Sequence, residues 1–175
     1  MQIIWGSRLA IGLLVALVQP GFADEQMVPL AISGNWAALE HRDSLTAPPD
    51  VCLVINAPEG LAFRASLDGK EVRVVNSKWS LPSNVTGSIQ IKVGSVLKSF
   101  DIGSNTDTMV GASVSDEDMI EVFNAMDQSQ TLTLTAGKSK PQNVSLSGSS
   151  RATNAFRTCA GLNSNDKKAG ENPFQ

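Results

Sequence analysis

His41, the one histidine of the 175-residue chain, stands in the triplet His41-Arg42-Asp43. An imidazole beside a carboxylate is the base and orienting half of a hydrolytic triad, which a distant serine would complete. No GxSxG elbow is present to offer such a serine. The triplet also matches the catalytic loop of protein kinases, but no glycine-rich loop, Val-Ala-Ile-Lys or Asp-Phe-Gly accompanies it, and an exposed strand end accounts for it. Ser95-Val-Leu-Lys98 matches SxxK. In penicillin-recognising enzymes that serine opens a helix, whereas Gly94-Ser95 reads as a hairpin turn. Asp118 to Asp127 and the polar run after it imitate an EF-hand. Leu132 then falls where the loop needs glycine, and Lys138 where it needs a bidentate glutamate. With one His and two Cys, most zinc sites built from those residues alone are ruled out. No catalytic residue, metal or cofactor is therefore expected.

Arg64 and Arg73 are the binding candidates. Asp68-Gly69 between two alternating runs is a strong hairpin signal, and a two-residue turn there pairs Leu67 with Lys70, Ala65 with Val72 and Phe63 with Val74. Leu61, Phe63, Ala65, Leu67, Val72 and Val74 then share an apolar face. Arg64, Ser66, Glu71 and Arg73 share the polar one. This register sets Arg64 directly opposite Arg73, a repulsive pairing unless an acid or an anion bridges it. Glu71, a diagonal neighbour, is the structural explanation. A site for a carboxylate, a sulfated glycan or an acidic loop of a partner is the functional one. Asn84-Val-Thr86 and Asn143-Val-Ser145 are glycosylation sequons, which matter only in a eukaryotic secretory pathway.

The address of the chain is written at its start. Arg8 precedes an apolar run from Leu9 to Val18, Pro20 and Gly21 break it, and Gly21-Phe22-Ala23 puts small residues where a signal peptidase reads. Residues 1–23 are thus expected to be a signal peptide, cut between Ala23 and Asp24. The run is too short for a stable membrane-spanning helix, and no later stretch approaches one. In an oxidising compartment Cys52 and Cys159 are expected to form a disulfide, since no CxxC spacing points to redox chemistry. The formal net charge of -3 and pI of about 5.1 weigh against nucleic acid, because few phosphate counterions would be released.

These residues must be positioned by a mainly β domain, residues 24–161, ahead of a flexible tail at 162–175. After a lead-in over residues 24–30, strands are expected at Ile32 to His41 and Val51 to Asn56. The hairpin strands from Leu61 follow, the second running past Trp79 to Leu81. Further strands are expected at Ser88 to Val93, Val96 to Ile102, Asp107 to Val114, Thr131 to Thr135 and Asn143 to Ser147. Lys98 shares a face with Ile91 and Phe100, which reads as a lysine guarding an edge strand. Ser115-Asp-Glu-Asp118 opens one helix, with Met119, Ile120, Val122, Phe123 and Met126 as its apolar face. A second runs from about Ser149 to Cys159. An antiparallel β-sandwich or curled sheet with two short C-terminal helices buries these faces.

The signal peptide, Trp36 in the first strand, Cys52 soon after a proline-containing loop, and Val144-Ser-Leu-Ser-Gly-Ser149 entering a helix give the chain an outline. It resembles the invasion-associated locus B family of small exported alphaproteobacterial proteins. Further cysteines common near that tryptophan are missing from Ala37 to Arg42. The resemblance implies a periplasmic or secreted β-rich protein, linked in some members to host interaction, and carries over no catalytic residue. The expected function is non-enzymatic binding of a protein or envelope component. A hydrolase inhibitor and an enzyme with an unrecognised site around His41 are the alternatives.

Overall fold

The computed structural model describes residues 26–44 and 46–163. The expected signal peptide, its cleavage pair Ala23 and Asp24, and residues 164–175 of the expected tail lie outside the described residues. Strands run over Gln26–Ser33 (β1), Trp36–Arg42 (β2), Val51–Asn56 (β3), Leu61–Ser66 (β4) and Gly69–Val75 (β5). Ser88–Val93 (β6), Val96–Asn105 (β7) and Met109–Ser113 (β8) follow, then helix α1 over Asp116–Asp127. Thr131–Ala136 (β9), Gln142–Ser145 (β10) and helix α2 over Ser149–Cys159 complete the order.

All pairings are antiparallel, and the ten strands form one open sheet in the order β1-β2-β3-β4-β5-β8-β7-β6-β9-β10. The sheet turns at β7. Its first half pairs with β6 and its last residues, Ile102 to Asn105, pair with β8 across an irregularity between Ile102 and Ser104. A bulge of this kind bends a strand and raises its twist. The curl brings the two ends of the strip together: the Trp36 indole N–H of β2 donates to the Ser145 carbonyl of β10 at 2.8 Å. Gly148 lies so close to β1 that a Cβ there would stand 2.4 Å from the Ser33 carbonyl oxygen, and its φ of +85° also favours glycine.

Inside the curl lie the inward residues of the alternating strands, among them Trp36, Val54, Phe63, Val72, Ile89, Ile91 and Leu134, all buried. Both helices close it. Ser115 caps α1 by accepting from the Asp118 N–H at 3.1 Å, and three acids occupy the positive end of the helix dipole. Phe63 of β4 meets Phe123 of α1 edge-on at 4.9 Å between ring centroids, and Phe123 meets Phe156 of α2 at 5.6 Å. The disulfide Cys52–Cys159 joins β3 to the end of α2, with Cα atoms 5.9 Å apart.

Several local expectations change. The segment Ile32 to His41 is two strands rather than one: Gly34-Asn35 is a two-residue turn, Ser33 pairs with Trp36, and the expected lead-in from Gln26 is the edge strand β1. The β4–β5 hairpin turns at Leu67-Asp68, with Ser66 paired to Gly69. Phe63 therefore faces Val72, Arg64 faces Glu71 and Ala62 faces Arg73. Arg64 and Arg73 are diagonal, not opposite. The slip keeps every buried residue on its face except Leu67, which is 94% exposed, and it exchanges a like-charge pair for an opposite one. β5 ends at Val75 because Asn76 starts a turn, its side-chain oxygen accepting from the Lys78 N–H at 2.9 Å. β7 stands between β8 and β6 in the strand order, but only its last residues reach β8. The stretch with Lys98 pairs with β6 alone, as an edge would, and Lys98 itself reaches α1, 2.7 Å from Asp118 and 2.6 Å from Glu121. Leu162, expected in the tail, is buried against the core.

Candidate functional site

The outward face of β1 to β5 carries most of the unspent chemistry. Three cross-strand rows follow from the register. One runs Ile32, Ala37, Ile55, Ala62, Arg73, Gly111; the next runs Pro29, Leu39, Leu53, Arg64, Glu71, Ser113. The third runs Met27, His41, Val51, Ser66, Gly69. Each row is aliphatic toward β1 and becomes polar at β4 or β5, apart from His41. Ile32 is 65% exposed and Met27 46%, while Leu39, Val51, Leu53 and Ile55 are half-buried between them and the polar end of the rows. Among the described residues no helix lies over this side, because α2 packs through Phe156 on the same inward face as Phe63.

The arginines border this field. Arg73 forms a two-pronged ion pair with Glu71, Nη2 at 2.6 Å and Nε at 2.7 Å from the same oxygen. Gly111, the cross-strand partner of Arg73, makes room for Ser104: a Cβ there would stand 2.6 Å from Ser104 Oγ but in ordinary contact, 3.7 Å, with Arg73 Cγ. Arg64 donates to Ser66 Oγ at 2.7 Å. The structure thus brings Arg64, Glu71 and Arg73 together on one patch, with one acid for two cations.

At one end of the field a cleft of about 510 Å³ opens between the β3–β4 turn and the segment after β5. Asn56, Glu59, Lys78 and Gln142 line it together with Ile55, Ala62 and Val75. Asn56 is fully buried; its oxygen accepts from the Glu59 N–H at 3.3 Å. Its Nδ2, and the buried Oε2 of Glu59, have no hydrogen-bond partner among the described residues.

At the other end stands His41. Its Nδ1 lies 2.7 Å from Asp50 Oδ1, and this hydrogen bond holds the Asp50 carboxyl below its ordinary value. Asp43, the sequence candidate for the orienting acid, is also near, but Asp50 makes the contact. On the inward side, Glu40 is buried beside the disulfide with its charge matched by Arg42 at 2.6 Å.

The aliphatic field was not visible as such in the sequence. Val51-Cys-Leu-Val-Ile reads as a strand buried on both sides, yet only Cys52 and Val54 point inward with Asn56. Apolar residues on both faces of a strand in a single-layer sheet are the signal that would have found it.

No protein-family model matches the chain, and no curated protein matches it. A comparison with solved structures finds the crystal structure of invasion associated protein B from Bartonella henselae, 17% identical, with a TM-score of 0.42. The match covers 75% of this chain and 96% of that one. A likeness at this level transfers nothing of that protein's role.

Proposed function

We propose that this is an exported, non-enzymatic binding protein that recognises a protein or envelope component through the outward face of β1 to β5. The observation that carries this reading is the aliphatic field itself. Large exposed apolar patches rimmed by polar groups mark interaction sites, and here the rim supplies two arginines against one glutamate. The partner surface that fits is apolar with an acidic border. The Cys52–Cys159 disulfide supports an oxidising compartment, and no helix among the described residues is long and apolar enough to cross a membrane.

The test is capture from envelope extract by immobilised protein, comparing wild type with Leu53→Lys, Ile55→Lys and Arg64→Ala. Species held by wild type should be lost from both lysine variants and weakened by Arg64→Ala, most at low salt. Thermal midpoints recorded alongside guard against misfolding. Identical capture by all four folded proteins would exclude this face.

A further inference from the structure

We propose that His41, Asp43 and Asp50 form a binding site for a divalent transition-metal ion, with Zn²⁺ the best match. The Nδ1 or Nε2 of His41 and a carboxylate oxygen from each aspartate lie within 4.8 Å of one another. The residues come from two places that the fold joins. His41 and Asp43 stand at the end of β2, and Asp50 immediately precedes β3. The connection between them is braced: the Asp50 N–H donates to the His41 carbonyl at 3.2 Å, and Arg42 Nη1 donates to the Ala47 carbonyl at 3.2 Å. Pro48 and Pro49 fix two further φ angles just before Asp50. The ligands are thus gathered by the backbone before any ion arrives.

The donor set selects the ion class. One imidazole and two carboxylates suit Zn²⁺ and its neighbours, whereas Ca²⁺ takes six to eight oxygens and Mg²⁺ a near-octahedral oxygen shell. Tetrahedral Zn²⁺ would set its ligand atoms about 3.3 Å apart, from bond lengths of roughly 2.0–2.1 Å. The three ligand atoms already lie within 4.8 Å of one another, and the ion would replace the proton that His41 Nδ1 and Asp50 Oδ1 now share at 2.7 Å. Arg42, the neighbour of His41 in sequence, is engaged with Glu40. Asp43 faces solvent, which leaves a fourth position for water. Both cysteines are held in the disulfide, so no thiolate competes.

The experiment titrates the untagged, oxidised full chain with Zn²⁺ by calorimetry, with Ca²⁺ and Mg²⁺ as controls. The proton and nitrogen resonances of the single imidazole are followed in parallel. One Zn²⁺ per chain, a shifted His41 ring signal, a raised thermal midpoint and no response to Ca²⁺ or Mg²⁺ are expected. Asp43→Asn keeps the His41–Asp50 bond and should fold normally, yet weaken Zn²⁺ binding at least tenfold; His41→Ala should abolish it. An unmoved imidazole signal, or an affinity unchanged in Asp43→Asn and His41→Ala, would overturn the site.

Discussion

Trp36 and Ser145, 109 residues apart, are joined by a hydrogen bond of 2.8 Å from the indole N–H to the backbone carbonyl. This contact ties the second strand of the sheet to the tenth without a strand ladder between them. It explains why a large aromatic residue sits with no exposure so near a sheet edge: its ring fills the core where the curl meets itself, and its one polar atom reaches the far end.

Trp36→Phe should therefore destabilise the protein by more than a lost neutral hydrogen bond. Removing the donor costs about 1 kcal/mol, and the missing ring volume adds a cavity term, so roughly 2–3 kcal/mol is expected. Urea unfolding measures it. A change within about 0.5 kcal/mol, the ordinary range for a surface site, would show that the two ends of the sheet stay together without this bond.

The disulfide clamps α2 to β3 across 107 residues of sequence. In the chain-entropy account, closing so long a loop contributes about 4–5 kcal/mol. The double variant Cys52→Ala/Cys159→Ala should lose much of that, with α2 loosening first. Native hydrogen exchange would show it as faster exchange in Ala152 to Cys159 than in β6. Thiol labelling of unreduced, denatured wild type should find no free cysteine.

Lys98 anchors α1 to β7 through Asp118 and Glu121. Its two carboxylate partners hold the ammonium well above the ordinary lysine value of 10.5, and Lys98 with Ser115 lowers Asp118 below 3.8. The signs differ. A raised lysine value gives stability that is complete below pH 10.5 and is lost as pH climbs through the folded-state value. A depressed aspartate value gives stability present above pH 3.8 and lost as pH falls through the folded-state value. Lys98→Met should flatten both flanks of the thermal midpoint–pH curve. Because the groups are partly exposed, the effect should shrink in high salt. A variant curve parallel to wild type at both extremes would remove this cluster from the pH response.

How far the sequence reveals this architecture depends on what fixes each element. Alternation alone carries the Thr131 to Ala136 strand and both sides of the Gly94-Ser95 turn, and Val93 does pair with Val96. Caps carry α1. Compartment logic carries the disulfide. Tertiary contacts carry what was missed. β1 looks like a lead-in because nothing in Gln26 to Leu30 shows that β2 will pair with it. The one-sided pairing around Lys98 was legible, but not the ion pairs it makes, because α1 arrives from a later stretch of chain. Asp50 is silent beside Pro48 and Pro49 until the loop brings it back to His41, so the sequence offers Asp43 as the orienting acid. The inward residues of β4 and β5 were legible, since a slip of one position on each strand leaves inside and outside unchanged.

That slip is the sharpest difference, and Leu67 tests it. With Asp68-Gly69 at the centre of the turn, Leu67 would pair with Lys70 on the apolar face. With Leu67-Asp68 at the centre, it projects into solvent at 94% exposure. Gly69, at a φ of +129°, then takes the strained position beside the turn. Leu67→Ser should consequently change stability by no more than about 0.5 kcal/mol, as at other exposed positions. Burial in the alternative register would make the same substitution cost roughly 2–5 kcal/mol, the range for emptying a leucine site. Glu71 supplies the companion measurement. Its double-mutant cycle with Arg73 should return a coupling of about 0.2–1 kcal/mol, as for exposed pairs, and a cycle of Arg64 with Arg73 should return less. A costly Leu67→Ser together with a strongly repulsive Arg64/Arg73 term would restore the directly opposed arginines. The patch would then present two unbridged cations side by side, and its preference for an acidic partner would rest on them alone.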